Sequence, residues 1–336
     1  MVLVTGATGI LGRVIVLDLL KREKSVRATK RPTSNLDEVR ESFQFYTDQP
    51  DLYFNKIEWI DVDFEDIDSL QNALTQVTEV YHCAGKVSFH PDDRQTIYHT
   101  NLEGTRRLLF ACEDSTVNKF CFVSSTAVLD GFDENGEVTE DSNYNSKLPH
   151  SSYAKSKHFS EMEVWRASAE GLNTVIINPG VIIGSGNWQS SSGEMFDAFA
   201  KYPYAMSGST AYIDVRDVSN IAISLMEKNV FGERFILISG SKKIIEVANF
   251  VREKLGKSKA KILSKTILNF GYVLNILLGW LIPQLRIMSK VNIETVTSHH
   301  TISNKKITEE LGYQFIPVLE SIDFHLKNYI SAKKKL

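Results

Sequence analysis

A glycine-rich turn near the start of this 336-residue chain constrains its fold more than any other feature. The stretch LVTGATGILG places Gly6, Gly9 and Gly12 between a β-branched run and an amphipathic helical pattern. In such a turn the first glycine allows a tight bend, the second lets the backbone approach a pyrophosphate, and the third lets the helix pack closely on the sheet. The helix N-terminus adds free amides and a positive dipole. The pattern predicts a dinucleotide-binding turn, in preference to a purely structural one.

The first half of the chain alternates short β-branched runs with longer helical patterns, which is typical of a parallel sheet built from β-α units. The predicted strands are Val2–Thr5, Val26–Thr29, Ile57–Asp61, Val80–His82, Phe120–Val123 and Thr174–Asn178. The predicted helices between them are Ile10–Arg22, Ser69–Gln76, Gln95–Glu113 and Ser152–Glu170. We therefore predict an α/β fold with a doubly wound parallel Rossmann sheet.

After Gly180 the regular alternation stops. The polar run GSGNWQSSSG at 184–193 predicts a loop, and residues 212–240 predict a strand, a helix and a further strand that return to the sheet. The remaining helical patterns are Glu194–Lys201, Ile244–Leu255, Lys265–Leu281, Lys305–Leu311 and Pro317–Ser331. We predict a dinucleotide-binding domain of residues 1–180 with 212–240. Residues 181–211 and 241–336 form the smaller, mostly helical substrate domain in this prediction.

The run ILNFGYVLNILLGWLIP at 267–283 is conspicuously apolar. It is shorter than the roughly 20 residues of a typical membrane span. It is also interrupted by Asn269, Gly271, Asn275 and Gly279. We interpret it as a buried or lid helix, with a membrane-surface helix as the alternative. In the alternative the substrate would be lipid- or steroid-like.

The composition argues against a nucleic-acid partner and favours a reducing compartment. The 38 basic and 41 acidic side chains give a net charge of -3, which gives no basic field for nucleic acid. Cys83, Cys112 and Cys121 lie in apolar stretches and form no Cys-x-x-Cys pair, so we expect core thiols in a reducing compartment and no metal site. The N-terminus shows no leader pattern. We expect a cytoplasmic protein without an integral membrane span.

The residues after the second strand favour one nicotinamide dinucleotide. An acid there would bind the ribose diol of NAD(H), whereas a basic residue accommodates the 2′-phosphate of NADP(H). Lys30 and Arg31 occupy that place, so we predict NADP(H), with NAD(H) as the alternative. Arg13 would add to the same anion site. Asp63, just past the third strand, would accept the adenine amino group or cap a helix.

Tyr153 and Lys157 lie one turn apart on a predicted helix, so both side chains project from one face. A phenol with an ordinary pKa of ~10 is a slow acid near neutrality, and a nearby cation would lower that pKa. Ser125 ends a predicted strand at the sheet edge where open α/β sheets bind ligands, and its hydroxyl can hold a carbonyl oxygen. Ser124 is expected to bond backbone, and Thr126 is the fallback donor.

Seven motifs in this order resemble the extended short-chain dehydrogenase/reductases. They are TGATGILG, YHCAG, TNLEGT, FVSSTAV, SSYAKSK, INPGVIIG and YIDVRDV. Within this superfamily, which includes the NAD-dependent epimerases and dehydratases, the chain is most similar to the dihydroflavonol reductase and 3β-hydroxysteroid dehydrogenase-like branch. The resemblance covers nearly the whole chain.

The resemblance implies a Ser-Tyr-Lys triad on Ser125, Tyr153 and Lys157, and hydride transfer from the B-face of the nicotinamide. It implies further cofactor contacts by Thr8, Ile10, Leu11, Phe64, Cys83, Ala84, Gly85, Asn101, Pro179, Gly180 and Val181. Asn101 would have a structural or proton-relay role. Helices Gln95–Glu113 and Ser152–Glu170 would pair in a homodimer.

Three functions are compatible with these residues. The first is an NADP(H)-dependent carbonyl reductase, or the reverse alcohol dehydrogenase, on an apolar ketone or aldehyde, with Phe89, Trp188, Tyr212 and the 267–283 segment as substrate walls. The second is a nucleotide-sugar epimerase or dehydratase. It is disfavoured because residues 181–336 hold only four arginines for a diphosphate. The third is a non-catalytic dinucleotide sensor, which would not need the triad.

Overall fold

A computed structural model describes residues 1–188 and 193–334 of the chain. Its strands in chain order are β1 (Val2–Thr5), β2 (Val26–Lys30), β3 (Glu58–Asp61), β4 (Glu79–His82), β5 (Lys119–Val123), β6 (Glu137–Val138), β7 (Asn173–Pro179), β8 (Val181–Ile183), β9 (Tyr204–Ala205), β10 (Ser209–Asp214), β11 (Glu233–Leu237), β12 (Gly240–Lys243), β13 (Lys261–Ile262) and β14 (Thr301–Ile302). Seven of them form a parallel sheet in the order β11-β7-β5-β4-β1-β2-β3. The predicted doubly wound sheet is confirmed.

Some of the helices cover both faces of this sheet, and the others lie beyond it. The helices are α1 (Gly12–Lys21), α2 (Leu36–Ser42), α3 (Pro50–Phe54), α4 (Ile67–Ala73), α5 (Arg94–Tyr98), α6 (Gly104–Glu113), α7 (Ser152–Ala169), α8 (Glu194–Lys201), α9 (Val215–Glu227), α10 (Ile244–Lys254), α11 (Lys265–Leu278), α12 (Lys290–Thr297), α13 (Lys305–Leu311) and α14 (Val318–Lys333). On one face α1 and α9 bury aliphatic side chains against the strands. On the other face α4, α6 and α7 do the same. Burial of apolar surface on both faces is what stabilises a parallel sheet.

A smaller layer lies at the carboxyl end of the sheet. β8, β10 and β12 form a three-stranded sheet whose apolar side packs against α8, α10 and α14. Asp214 joins the layers because its carboxylate accepts hydrogen bonds from Arg216 and from Ser321 at 2.7 Å each. These charge-assisted bonds hold the pKa of Asp214 well below its ordinary value, although burial opposes them. The second layer is thereby fixed over the strand ends.

Three stretches differ from the sequence prediction. The strand expected at residue 212 does not return to the main sheet, because β10 pairs with β8 and β12. The single helix expected at 95–113 is divided into α5, a π-helical turn His99–Glu103 and α6. A π-turn inserts an extra residue, and hydrophobic periodicity over one turn is too short to reveal it. Between β2 and β3 the chain forms α2 and α3, which the sequence analysis did not predict. Of the loop expected at 184–193, residues 189–192 lie outside the described residues.

The apolar segment 267–283 was expected to be a buried or lid helix, and the structure contradicts the buried form. α11 ends at Leu278, and its buried apolar side chain is Leu268. Phe270 and Trp280 are 63% and 75% exposed. Within residues 1–188 and 193–334, no helix is both long and apolar enough to cross a bilayer.

The glycine turn brings α1 unusually close to β1. Gly6 has a φ of +64°, in the left-handed region that favours glycine. A Cβ at Gly12 would overlap the carbonyl oxygen of Gly6. The absence of a side chain therefore sets the distance between the first strand and the first helix.

We expect Gly12→Ala to lower the free energy of unfolding by about 1–3 kcal/mol, because a methyl group must be forced against backbone atoms. Alanine's better helix propensity, at most about 1 kcal/mol, opposes this loss without cancelling it. Chemical denaturation measures the change. Gly240→Ala is the matched control, since a Cβ there meets Val318 at an ordinary 3.7 Å. Equal denaturation midpoints for the two variants would contradict the close-packing argument.

Candidate active site

The carboxyl ends of β1, β4, β5 and β7 bring together the loops that carry the predicted site residues. These strands are neighbours in the parallel sheet, so their C-terminal loops emerge at one edge. The loops are the glycine turn at 6–12, the segment 83–89 after β4, the segment 124–128 after β5, and the link from Pro179 to Val181. The candidate site lies along this edge.

The glycine turn approaches the loop after β4 at backbone distance. A Cβ on Gly6 would lie only 2.6 Å from the amide nitrogen of Ala84. The Ala84 amide donates to the Thr5 hydroxyl at 3.3 Å, which holds the two loops together. No side-chain hydrogen bond caps α1 at Leu11, so the positive end of the helix dipole is left for an anion. This narrow, glycine-lined backbone surface fits the pyrophosphate of a dinucleotide.

Other residues of the turn pack rather than point outward. Ile10 and Leu11 are buried, and Gly184 approaches Ile10 so closely that a Cβ there would lie 2.8 Å from its Cγ1. The Thr8 carbonyl accepts a hydrogen bond from Arg13. Thr8, Ile10 and Leu11 therefore offer mainly backbone groups to a ligand.

Arg13 does not extend into an anion site, contrary to the sequence expectation. Its buried guanidinium forms a two-pronged ion pair with Glu38, with distances of 2.7 and 2.9 Å. Its Nε donates to the Gly9 carbonyl at 3.2 Å. Desolvating an arginine requires such partners. Arg13 braces the glycine turn instead of binding a phosphate.

The two basic residues after β2 differ in their surroundings. Lys30 pairs with Asp61 at the end of β3, with a nitrogen–oxygen distance of 2.6 Å. Arg31 is exposed, and its backbone amide donates to Ser34 at 3.0 Å. Arg31 is thus the more available of the two for a 2′-phosphate.

The residues after β3 lie at the same edge of the sheet, next to the loop that follows β2. Asp63 is exposed and accepts a hydrogen bond from the Glu65 amide at 2.9 Å, while Asp66 caps α4. The ring of Phe64 stacks near His82 at a centroid distance of 6.1 Å. Asp63 keeps a free carboxylate edge that can face an adenine.

Tyr153 and Ser125 are brought into contact by the start of α7. Ser151 caps that helix by accepting a hydrogen bond from the Ala154 amide at 3.1 Å, and Tyr153 follows in the first turn. The Ser125 side chain lies close enough to the Tyr153 phenol to act on its pKa. Ser125 Oγ accepts from the Ala127 amide at 3.2 Å and so caps the turn that follows β5. The backbone amide of Ser124 bonds the Ile177 carbonyl at 2.8 Å, but its buried hydroxyl has no hydrogen-bond partner among the described residues, so the expected bond from that hydroxyl to backbone is not formed.

Burial raises the pKa of the Tyr153 phenol, and the nearby Ser125 side chain offsets part of this rise. The sequence analysis expected Lys157 to lower that pKa. The structure shows the opposite direction, because desolvation outweighs the favourable contacts. A phenol that stays protonated near neutral pH suits a proton donor.

Lys157 is buried one turn after Tyr153 and faces the end of β5. Its Nζ donates to the Val123 carbonyl at 2.7 Å and lies 4.8 Å from the ring centroid of Phe122. Burial lowers the pKa of the Lys157 ammonium to about 8, while Cys83 and Glu161 act to raise it. Gly85 lies beside the ammonium, because a Cβ there would be 3.3 Å from Nζ. The cation thus sits between the two loops that flank the site.

Asn101 acts from within the π-turn as a clamp on the loop after β4. Its carbonyl oxygen accepts from the Lys86 amide at 2.7 Å, and its amide donates to the Lys86 carbonyl at 3.0 Å. The same amide donates to Ser156 on α7 at 2.9 Å. Asn101 therefore fixes the 83–86 loop, including Ala84 and Gly85, relative to α7.

A buried carboxylate that the sequence analysis missed continues the stripe on α7. Glu161 follows Lys157 by four residues and accepts from Asn178 Nδ2 at 2.7 Å. Arg234 lies 3.5 Å from its other oxygen, and burial raises the pKa of Glu161. An acid eight residues after Tyr153 on one helix face was the available signal.

The proposed substrate residues fall in different places. The Phe89 ring, 47% exposed, packs edge-on to Tyr153 at a centroid distance of 6.3 Å. Trp188 packs instead against Phe45, with a centroid distance of 5.9 Å, and against Tyr329, at 5.5 Å. Tyr212 is 2% exposed within the core of the small layer. The structure gives Phe89 a place beside the triad and gives no support to Tyr212 as a wall.

The link between β7 and β8 forms another part of this edge of the sheet. Gly180 passes so close to Ala211 that a Cβ would lie 2.5 Å from its carbonyl oxygen. Pro179 is buried, whereas Val181 is 38% exposed. The described part of the chain contains no cluster of histidine, cysteine or acidic side chains suited to a metal ion.

The family of the chain follows from a comparison with family models. The model described as "NAD dependent epimerase/dehydratase family" matches residues 2–239. The chain belongs to this family. It is accordingly an NAD(P)-dependent enzyme, and its glycine turn and Tyr153–Lys157 pair lie within the matched region.

Curated relatives and a solved structure extend this finding. The chain is 28% identical over 263 residues to sterol demethylase protein B of Methylococcus capsulatus, covering 77% of this chain and 76% of the relative. It is 26% identical over 268 residues to dihydroflavonol 4-reductase of Arabidopsis thaliana, covering 75% and 69%. UDP-glucose 4-epimerase of Thermotoga maritima, solved with UDP-glucose, shares the fold with a TM-score of 0.77 at 16% identity, covering 99% of both chains.

Proposed function

We propose that this family member is an NADP(H)-dependent carbonyl reductase, or the reverse alcohol dehydrogenase, acting on an apolar ketone or aldehyde. The observation that carries the proposal is the grouping of Ser125, Tyr153 and buried Lys157, which lies one turn after Tyr153, at the edge that holds the glycine turn. A dihydroflavonol 4-reductase among the relatives supports the same chemistry.

The chain's residues divide the work as follows. NADPH bound along the glycine turn would supply a hydride to the carbonyl carbon. The Ser125 hydroxyl holds the carbonyl oxygen and the charge that develops on it. The Tyr153 phenol donates its proton to that oxygen, giving the alcohol. The Lys157 ammonium stabilises the phenolate that remains until a proton from water restores it.

The surroundings of Tyr153 favour an apolar substrate. Phe89 presents an exposed ring beside the phenol. Aromatic side chains of this kind bind substrate by burial of apolar surface rather than by charge.

NADP(H) is our preferred cofactor because Arg31 is exposed at the end of β2. A guanidinium there can pair with a 2′-phosphate, and no acid follows before Asp37. Lys30 would contribute at longer range from its pair with Asp61.

The alternative function, a nucleotide-sugar epimerase or dehydratase, is supported by the shared fold of UDP-glucose 4-epimerase. The arginines of residues 181–336 argue against it. Each arginine of residues 181–336 already has a partner. Arg216 pairs with Asp214 and Arg286 with Asp92, while Arg234 and Arg252 donate to backbone carbonyls. A diphosphate would have to break these contacts. A purely sensing role would leave the assembled triad without a use.

We further propose that the protein is a homodimer in the cytoplasm. Phe110 on α6 and Phe159 and Met162 on α7 are exposed apolar side chains, and they support a homodimer through these helices. Cys83, Cys112 and Cys121 are free thiols, which fits the reducing cytoplasm.

Tyr153→Phe should lower NADPH-dependent reduction of a medium-chain ketone roughly 10²–10⁴-fold, the usual contribution of a positioned acid. NADPH binding and the melting temperature should stay close to those of the parent. Absorbance at the reduced nicotinamide band follows the reaction. Tyr212→Phe is the control, because that buried phenol lies in the core of the small layer and should be replaceable. Parental turnover by a folded Tyr153→Phe protein would remove the phenol from the mechanism.

Arg31→Ala should raise the Kd for NADPH roughly tenfold, the value of one charge-assisted hydrogen bond. The Kd for NADH should not change, since NADH has no 2′-phosphate. Calorimetric titration with both dinucleotides measures the two constants. Arg40→Ala is matched to it as another exposed arginine, paired on the surface with Asp51. An equal loss for NADPH and NADH would contradict a 2′-phosphate contact.

The kcat/KM of reduction should fall as pH rises through about 8, because Lys157 loses its proton there. The raised pKa of Tyr153 puts the loss of the phenol proton at higher pH. Lys157→Arg keeps a cation and should remove the fall below pH ~10 in whatever activity remains. Lys155→Arg should retain the parental profile. A profile that is flat from pH 7 to 9 in the parent would contradict this role of Lys157.

A further inference from the structure

Helix α11 has its polarity reversed relative to an ordinary surface helix. Its inner side carries Leu268, Gly271, Asn275 and Gly279, and two of these, Leu268 and Gly279, are buried. Asn275 donates to the Met288 carbonyl at 3.3 Å, and a Cβ on Gly271 would lie 3.1 Å from Met288 Cε. Small and polar residues thus face the protein.

The outer side of α11 and its C-terminal end are apolar. The exposed side chains there include Ile267, Phe270, Val273, Ile276, Leu277 and Trp280. A helix on a water-facing surface normally shows its polar side outward. A contiguous exposed apolar surface of this kind marks an interaction site.

A basic stretch leads into the apolar surface. The forty residues 254–293 contain seven lysines and arginines and no aspartate or glutamate, although the whole chain has a net charge of -3. Lys257, Lys259, Lys261 and Lys265 are exposed immediately before or at the start of α11. Across residues 1–188 and 193–334, none of these four lysines takes part in an ion pair. Their charges are available to an anionic partner.

We propose that residues 257–282 dock on the surface of an anionic phospholipid bilayer. The outer side of α11 would enter the boundary between head groups and acyl chains, and the four lysines would face the lipid phosphates. Trp280 at the end of the helix suits that boundary, where indole rings concentrate in membrane proteins. A second copy of the chain would bring the same unpaired lysines and no acid from this segment.

The docking surface connects to the active site through the loop after β4. Asn292 donates to the Phe89 carbonyl at 2.9 Å, and His90 Nε2 lies 3.1 Å from the Pro283 carbonyl. Arg286 pairs with Asp92 at 2.8 Å. Phe89 is also the ring that packs on Tyr153, so the segment after α11 holds the apolar side of the site. Resting on the proposed reductase function, this continuity specifies the substrate class as a ketone dissolved in the bilayer.

Vesicle flotation with the full chain tests the docking directly. We expect at least tenfold stronger partitioning onto vesicles of 70% phosphatidylcholine and 30% phosphatidylserine than onto phosphatidylcholine alone. Raising the salt concentration should weaken the binding, since screening acts on the lysines. Failure to float with the anionic vesicles at millimolar lipid would overturn the proposal.

The apolar contribution is tested by the double variant Phe270→Ser and Leu277→Ser. Both side chains are exposed, so the melting temperature should hold while vesicle partitioning falls at least tenfold. Leu52→Ser with Leu319→Ser is the matched control, because these leucines are exposed elsewhere and should leave partitioning unchanged. Equal partitioning of the two double variants would overturn the assignment to α11.

The charge contribution is tested by Lys257→Glu with Lys259→Glu, matched by Lys56→Glu with Lys147→Glu elsewhere on the surface. The first pair should abolish the preference for phosphatidylserine and the second should keep it. Light scattering in the absence of lipid tests the alternative partner for this surface, which is a second copy of the chain. A dimer that disappears in the Phe270→Ser, Leu277→Ser variant would overturn the bilayer assignment in favour of that second copy.

Docking and catalysis can fail separately. Tyr153→Phe should float as the parent does, because vesicle binding does not depend on the phenol. A parent that floats but consumes no NADPH with water-soluble or vesicle-dissolved ketones would refute the reductase function and its bilayer-dissolved substrate while the docking surface stands. A parent that reduces water-soluble ketones and does not float would refute the docking alone.

Discussion

The close approach of two backbone loops, at Gly6 and Ala84, is the constraint on which the rest of the site depends. β1 and β4 are adjacent parallel strands, and a side chain at Gly6 would separate the loops that follow them. Because Gly6 has none, the dinucleotide turn lies against the 83–86 loop. Asn101 fixes the other side of that loop to α7 through Ser156. The position of α7 relative to the glycine turn thus follows from one missing Cβ.

A second constraint is the burial of ionisable groups along α7. Tyr153, Lys157 and Glu161 occupy successive turns of one face, and each is buried. Burying a charge without partners is costly, so the structure supplies the Val123 carbonyl for the ammonium and Asn178 for the carboxylate. The shifts in pKa follow from this burial: the phenol keeps its proton, while the ammonium becomes easier to deprotonate. Perturbed pKa values of this kind concentrate at functional sites, which is why this face of α7 supports the proposed function.

The sequence predicted those parts of the molecule that depend on local pattern. The glycine turn, the strands of the main sheet and the helix that carries Tyr153 each have a short-range signature. Pattern could not reveal how polar groups pair across the fold. Arg13 was expected at a phosphate and instead pairs with Glu38, a residue of α2 that was itself not predicted. The apolar run at 267–283 suggested burial, because composition alone does not say which side of a helix meets the protein. The π-turn at Asn101 is one extra residue within a long helical pattern, and periodicity cannot detect it.

Transfer of an isotopic label from NADPH to the product tests the proposed reductase function most directly. Purified enzyme is mixed with a medium-chain ketone and NADPH carrying deuterium on the B-face of the nicotinamide, and the alcohol is analysed by mass spectrometry. A B-face reductase would place one deuterium on the carbinol carbon, and it would place none there when the label is on the A-face. An alcohol that carries no deuterium from either face, or conversion of a UDP-sugar to its epimer with no net consumption of NADPH, would contradict the proposed function.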